Sequence, residues 1–317
     1  MAGKAEGVNA VVALDGSGNY SSINAAIAAA PSASSKPHVV YIKAGLYNEF
    51  VEINKSNITL VGEGADKTVI SGSRCNADGH ETADTAVVRV YASDFIAKGL
   101  CIENTSGPRV KDGQAVALLN NSDRSALFHC TLRGFQDTLC ALAGKQFYRE
   151  CRISGTVDFI FGNATAVFQN CELICRLPLP VQKNTITAQA RQNAIDNTGF
   201  VFQHCSVAAD NDLAHAQATI KTFLGQAFSR TVIMQSDISG IVEPEGWVQW
   251  ERDPIPDTLY YAEYMNTGPG ADVSRRVNWP GFRVIHDPAE ASAFSVENFI
   301  RGKEWLPATG VEFTPGV

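Results

Sequence analysis

One phrase returns along the middle of this chain and limits what it can fold into. Phe128-His129-Cys130-Thr131-Leu132 is echoed by Tyr148-Arg149-Glu150-Cys151-Arg152-Ile153. It returns as Phe168-Gln169-Asn170-Cys171-Glu172-Leu173 and as Phe202-Gln203-His204-Cys205-Ser206-Val207, and a last echo runs Ile233-Met234-Gln235-Ser236-Asp237-Ile238. The cysteines of the phrase lie 21, 20 and 34 residues apart. A period of about twenty, with strands and no helices inside it, is the mark of a parallel β-solenoid in which each repeat forms one coil. The longer step would hold a loop inserted between strands. A sandwich is the plain alternative, but its strands have no reason to repeat an aromatic–cysteine–aliphatic phrase.

The rest of the sequence agrees with strands. Short apolar runs rich in β-branched and aromatic residues fall at 39–42, 58–61, 87–90, 95–97, 115–119, 126–128, 146–148, 159–161, 166–168, 200–202 and 231–234, and Gly, Asn, Asp and Ser punctuate them. Two short helices are expected to flank them. One is the Ala-rich stretch 21–30, with serines to cap it and Pro31 to stop it; the other is 294–300, ending before Gly302. The expected architecture is therefore all-β, one solenoid domain over 8–317 with short flanking helices.

In such a coil, equivalent residues of neighbouring turns stack about 4.8 Å apart. That lies within the Cα separation of a disulfide. Bridges Cys130–Cys151 and Cys171–Cys205 are expected on this spacing; the alternative is four small apolar residues buried in the coil core. The same counting picks out two carboxylates. Asp137 and Asp158 each sit seven residues beyond their cysteine, hence one coil apart. Their side chains should point the same way, roughly 5 Å apart. Like charges so close should push one pKa up and leave the other low, giving an acid beside a carboxylate. Gln136 adjoins Asp137, and Gln114 lies nearly one coil earlier. Two amides beside the pair could donate to a developing oxyanion. An Asp ladder or a loop calcium site is the competing reading.

Composition excludes several classes. The chain has 317 residues, 45% hydrophobic and 19% charged, too apolar and too weakly charged for disorder. It contains no run of eighteen apolar residues, so no membrane span is expected. A net charge of −7 with no Lys/Arg run gives no expectation of a nucleic-acid partner. Cys171 and Cys175 are followed by no second Cys/His pair with finger spacing, so no metal is expected. Residues 1–7 carry no apolar h-region, so either the chain is not secreted or this is a mature form or fragment. Six Asn-x-Ser/Thr sequons permit a secretory reading.

The blocks Gly45-Leu46-Tyr47-Asn48-Glu49, Gln114-Ala115-Val116-Ala117-Leu118, Gly134-Phe135-Gln136-Asp137-Thr138-Leu139 and Gly155-Thr156-Val157-Asp158-Phe159-Ile160-Phe161-Gly162-Asn163 resemble the signature of plant pectin methylesterases. Met265-Asn266-Thr267-Gly268-Pro269-Gly270 and Arg276-Val277-Asn278-Trp279-Pro280-Gly281 do too, and the likeness runs in order from about Val8 to Val311. The resemblance implies a right-handed parallel β-helix. It implies removal of methyl esters from homogalacturonan, releasing methanol, with no metal or other cofactor. Asp158 would be the nucleophile and Asp137 the acid and then the base. Gln136 and Gln114 would hold the oxyanion, Gln114 also lining the substrate site. Thr82 matches a substrate-contacting Thr, and the positions of Cys130, Cys151, Cys171 and Cys205 match the family's disulfides. A monomer in the cell wall is implied, with a proteinaceous pectinesterase inhibitor as a candidate partner and a start that is truncated or processed.

The chain departs from the pattern where Leu-Gly-Arg-Pro-Trp is normal: it reads Leu224-Gly225-Gln226-Ala227-Phe228, in a segment about three residues short. The family's Arg pairs with the nucleophilic carboxylate, and the neutral amide of Gln226 cannot supply that charge. Phe228 is the nearest aromatic to the missing Trp and the candidate for its substrate contact. Ala83 and Cys140 stand where the family has Phe and Tyr. A lapsed, pectin-binding homologue is therefore the alternative to a working esterase, and a solenoid lyase or glycosidase a more distant one. A net −7 protein should also be poorly retained by its anionic product.

Overall fold

The computed structural model describes residues 7–216, 220–226, 230–250 and 254–317. The chain winds as a right-handed parallel β-helix, and each coil visits three sheets in turn. The central coil illustrates it: Ser125–Phe128 lies in the long eleven-stranded sheet, Thr131–Arg133 in a second sheet of eight and Leu139–Ala143 in a third of eight. Lys145–Arg149 then begins the next coil in the long sheet. Every pairing is parallel, with Ser125 opposite Gln146, Thr131 opposite Arg152 and Leu139 opposite Ile160. Each of these partners is 21 residues on, the period of the cysteine phrase.

The phrase has a local cause. Between the long and second sheets the chain turns a corner on one left-handed residue, and that residue recurs in successive coils: His129 (φ 51°), Glu150 (52°), Asn170 (56°), His204 (53°) and Gln235 (52°). A non-glycine residue rarely adopts this conformation, and here the stacked ladders on both sides hold it. The residue before the corner ends a strand, and the cysteine after it points into the coil. Above this corner, Tyr148, Phe168 and Phe202 form an aromatic column with centroids 4.5 and 4.6 Å apart and rings within 12° of parallel.

The expected bridges Cys130–Cys151 and Cys171–Cys205 do not form: all eight cysteines are buried thiols. The alternative of small buried residues in the coil core is what the structure contains. In-register stacking makes Cys130, Cys151, Cys171 and Cys205 one continuous column, so no neighbour is singled out as a partner. Each thiol instead donates to backbone carbonyls, Cys151 to Leu127 (3.5 Å), Cys171 to Tyr148 (3.3 Å) and Cys205 to Phe168 (3.3 Å), each in the coil below, and Cys130 to Phe128 (3.4 Å).

The expected runs all fall on strands, although 115–119 enters the ladder only from Leu118. The first helix is Ile23–Ala29; the Ser22 hydroxyl accepts from the Ala25 N–H, and Lys55 Nζ donates to the carbonyls of Ile27, Ala28 and Ala30 at its other end. The second is shorter than expected, Val296–Phe299. With Pro288–Ser292 and Gly302–Trp305 it covers the outer face of the long sheet, burying Ala126, Phe147, Val167, Val201 and Val232. The 34-residue cysteine step resolves into two excursions, one on either side of the strand Asn184–Gln189 of the third sheet. These flank the site described next.

Candidate active site

Asp137 and Asp158 occupy the same place in successive coils, in the turn that enters the third sheet just before Leu139–Ala143 and Ile160–Gly162. Both are left-handed, at φ 63° and 49°. Asp is among the few residues that tolerate this region, and two such residues in register must aim their side chains alike. The Asp137 N–H donates to the Val157 carbonyl at 3.0 Å, which locks the pair one coil apart, in agreement with the sequence offset. Both side chains are buried, 8% and 5% exposed.

Their surroundings differ. The Asp158 carboxylate accepts from the Thr185 hydroxyl at 2.6 Å, and Thr185 Oγ1 in turn accepts from the Asp158 N–H at 2.8 Å. Gln226 Nε2 spans both carboxylate oxygens, 2.8 Å to each. Burial nevertheless lifts Asp158 to about 6; the bonds from Thr185 and Gln226 and the more distant charge of Lys183 oppose this only in part. Burial first, and then the Asp158 charge, hold Asp137 well above the usual carboxylate range. The expectation that one carboxyl would rise and the other stay low is thus corrected: both rise, because both are buried, and the bonds from Thr185 and Gln226 oppose this at Asp158 alone. The two carboxyls thus differ in environment: Thr185 and Gln226 favour the ionised form of Asp158, while the charge of Asp158 favours the neutral form of Asp137.

Gln226 ends the strand Thr222–Gln226 and is fixed from behind. The Tyr261 hydroxyl donates to its carbonyl at 2.6 Å, and the Tyr261 ring stacks on Trp247 with centroids 3.9 Å apart. Trp247 Nε1 donates to Glu263 (3.3 Å), which forms a buried ion pair with Arg276 at 2.7 Å. Gly225, next to Gln226, lets the strand press against its neighbour; a Cβ there would run into the Thr187 hydroxyl.

The pair opens into a cleft of about 310 Å³. Gln114, Gln136, Gln189, Gln192 and Gln226 line it with amides, and Phe161, Ala188, Ala190 and Trp250 give it apolar walls. Among the described residues, no group of three or more His, Cys, Asp or Glu converges as metal ligands. Nor is any described helix long and apolar enough to cross a membrane.

A family model described as Pectinesterase matches residues 9–303. The chain belongs to the pectinesterase family. It is 47% identical over 313 residues to a pectinesterase/pectinesterase inhibitor of Prunus persica, covering 97% of this chain and 60% of that one. It is 48% identical to pectinesterase 2 of Citrus sinensis, covering 98% of this chain and 61% of the relative. The chain thus spans about three-fifths of the length of the curated relatives it matches. Its fold superposes on pectin methylesterase from carrot with a TM-score of 0.95 at 43% identity, over 99% of this chain and all of that one. Against pectin methylesterase PemA from Erwinia chrysanthemi the TM-score is 0.79 at 28% identity, over 99% of this chain and all of that one.

Four of the six site residues expected of this pectinesterase-family chain converge on the cleft: Asp137, Asp158, Gln136 and Gln114. Thr82 does not line it. Thr82 begins the short turn Thr82–Thr85, where its hydroxyl accepts from Asn76 Nδ2 at 3.3 Å. Phe228 lies outside the described residues. Among the described residues Trp250, 38% exposed, adds to the aromatic wall; it has no place in the repeat count although Trp247-Val248-Gln249-Trp250 is conspicuous in the sequence. Thr185 escapes the count as well. It lies 27 residues beyond Asp158, because the first excursion breaks the 21-residue period. Arg230, near the altered segment, is turned away: its guanidinium lies over the rings of Phe294 and Phe299.

Proposed function

We propose that this chain hydrolyses the methyl esters of homogalacturonan to free carboxylates and methanol. The observation that carries this reading is the buried aspartate pair one coil apart, in which Thr185 and Gln226 hold the Asp158 carboxylate and Asp137 lies beside it. Asp158 attacks the ester carbonyl carbon, and the amides of Gln114 and Gln136 receive the oxyanion as the tetrahedral intermediate forms. The intermediate collapses as Asp137 gives its proton to the departing methoxide, which leaves as methanol. Asp137, now a carboxylate, takes a proton from water; the hydroxide attacks the acyl-Asp158 carbonyl and releases the free acid. Asp137 needs a high pKa to donate and Asp158 a lower one to attack; the charge of Asp158 beside Asp137, and the bonds of Thr185 and Gln226 to Asp158, favour that order.

Methanol release from methyl-esterified pectin by the pure, folded protein tests the reading, and its absence would overturn it. Gln226 supports a second reading, an esterase slowed by its missing cation. The amide keeps Asp158 oriented but leaves it near 6, so turnover should fall off below that pH. Gln226→Arg should then raise activity most at acidic pH, and equal profiles for the two proteins would dismiss this reading.

The relatives' names pair pectinesterase with a pectinesterase inhibitor. A proteinaceous inhibitor as partner, and a site of action in the cell wall, extend the proposal. Dye-labelled inhibitor titrated against the protein tests the first and fractionation of the tissue of origin the second.

A further inference from the structure

A cavity of about 420 Å³ opens where the chain passes from the third sheet to the long one, and it shares no lining residue with the aspartate cleft. Lys145, Thr165 and Arg230 line it from the sheet, and Asn298, Phe299 and Arg301 from the helical cover. The sheet side is one column of the ladder. Lys145 pairs with Thr165 and Thr165 with Gly199; Phe200 pairs with Thr231, so Gly199 stands level with Arg230. Two residues further along each strand, Phe147, Val167, Val201 and Val232 pack beneath the helices. By the period of two, the column of Lys145 faces the same way. Its ends lie about 14 Å apart, three strand spacings. Long cationic side chains thus stand at both ends, with short residues between them. At Gly199 a Cβ would come within 3.0 Å of Arg230 Cδ, so the glycine leaves room for that side chain along the sheet.

The charges of this cavity are poorly matched. Arg230 is half-buried and makes no ion pair among the described residues. Its guanidinium donates to the carbonyls of Asp196 (3.3 Å) and Thr198 (3.5 Å), both long contacts, and lies over the rings of Phe294 and Phe299. Burial and the repulsion of a second guanidinium, Arg191, push its pKa down. Arg191, 7% exposed, leaves its own Nε without a partner. Lys145 has Asp123 at 3.8 Å and Arg301 has Glu304 at 2.6 Å, but neither acid lines the cavity. A cation held out of water is costly unless a counter-charge meets it.

We propose that this cavity binds a tetrahedral oxyanion of the phosphate or sulfate class, clamped between the long sheet and its helical cover. The cations approach from three sides: Lys145 from one end of the column, Arg230 from the other and Arg301 from the cover. That spread suits oxygens arranged around a centre better than a planar carboxylate, and a guanidinium fork meets two such oxygens at once. The neutral polar groups are already committed: the Thr165 hydroxyl donates to the Asn197 carbonyl (3.2 Å) and Asn298 Nδ2 to the Ser292 carbonyl (2.8 Å). The inference is independent of the esterase reading. It is the Arg230 N–H, not the guanidinium, that reaches toward the aspartate cleft, donating to Gln189 Oε1 at 2.8 Å.

The test is calorimetric titration of the full chain with sodium phosphate, sodium sulfate and sodium acetate, at an ionic strength matched with chloride. Phosphate and sulfate should bind, and each should raise Tm above its value in chloride, since a ligand of the folded state stabilises it. Acetate should bind about tenfold more weakly, having fewer oxygens to share among the cations. Arg230→Gln should weaken phosphate binding about tenfold, the loss of one charge-assisted donor group. Arg230→Lys should recover only part of that, because an ammonium offers no fork. The combined Lys145→Gln and Arg301→Gln protein, altered only at partly exposed side chains, should bind several-fold more weakly. It keeps the test open if the Arg230 variants do not fold, which their melting in chloride reveals. No binding of phosphate or sulfate by the parent, an equal Tm in chloride, acetate bound as tightly as phosphate, or undiminished affinity in the folded variants would overturn the site.

Discussion

Two columns of this solenoid are built by the same rule and do opposite things. Cys130, Cys151, Cys171 and Cys205 stack one per coil inside the core; Asp137 and Asp158 stack one per coil at the edge of the third sheet. In the core, burial pushes the thiols of Cys130, Cys151 and Cys171 well above their ordinary range, and backbone carbonyls accept their hydrogen bonds. They are inert as nucleophiles, since the thiolate is the reactive form. At the edge, burial raises the carboxyls too, but Thr185 and Gln226 reach one of them and not the other. On the proposed mechanism, the difference between neighbours, rather than burial itself, is what makes an acid–base pair. A stacked column becomes chemistry only where its members are given unequal partners and an opening.

The comparison is broken most sharply by exchanging its members. On the proposed mechanism, Asp158→Asn should reduce methanol release by about six powers of ten, as loss of a nucleophile does elsewhere. Cys151→Ala should leave kcat near the parent's and instead lower stability, by on the order of 1 to 3 kcal/mol in a denaturant titration. Comparable losses of activity in both variants would mean that the columns are not distinct.

A second consequence separates the charge from the chemistry. The folded-state pKa of Asp158, about 6, lies above the ordinary carboxylate value of 3.8. Stability from this group is therefore fully present below about pH 4 and is lost as pH rises through 6, by on the order of 3 kcal/mol. Asp158→Asn should flatten the dependence of Tm on pH in that window, and a parallel curve would refute the assignment.

Smaller effects sharpen the account of the unequal partners. Thr185→Val removes the hydroxyl that favours the ionised form, so the acid limb of the pH–rate profile should move upward and activity at pH 6 should fall several-fold. Thr185→Ser should restore it with KM unchanged throughout. The smallest expected effect lies in the core. A reductant should leave Tm unmoved, whereas reduction of a bridge would cost roughly 2 to 5 kcal/mol, several degrees or more.

Most of the coil is legible in the amino-acid order. The period, the strand positions and the register of Asp137 with Asp158 follow from counting, because in a parallel ladder a fixed sequence offset is a fixed stacking position. Counting fails wherever the period is interrupted. Thr185 is hidden by the excursion that precedes Asn184–Gln189, and Trp250 lies beyond the last clear repeat. The same stacking rule that finds the aspartates also suggests disulfides, and there it misleads. Proximity of Cα atoms is necessary for a bridge, but a column of four gives its inner cysteines two equivalent neighbours and offers backbone acceptors besides.

The sequence alone determined the coil and which residues share a column, since both depend only on offsets along the chain. The tertiary structure decided what each column meets: that the cysteines face a sealed core, that Gln226 lies across both oxygens of Asp158, and that Lys145, Arg230 and Arg301, from separate stretches, line one cavity. Those outcomes depend on distances between residues with no common period, and only the folded chain sets them.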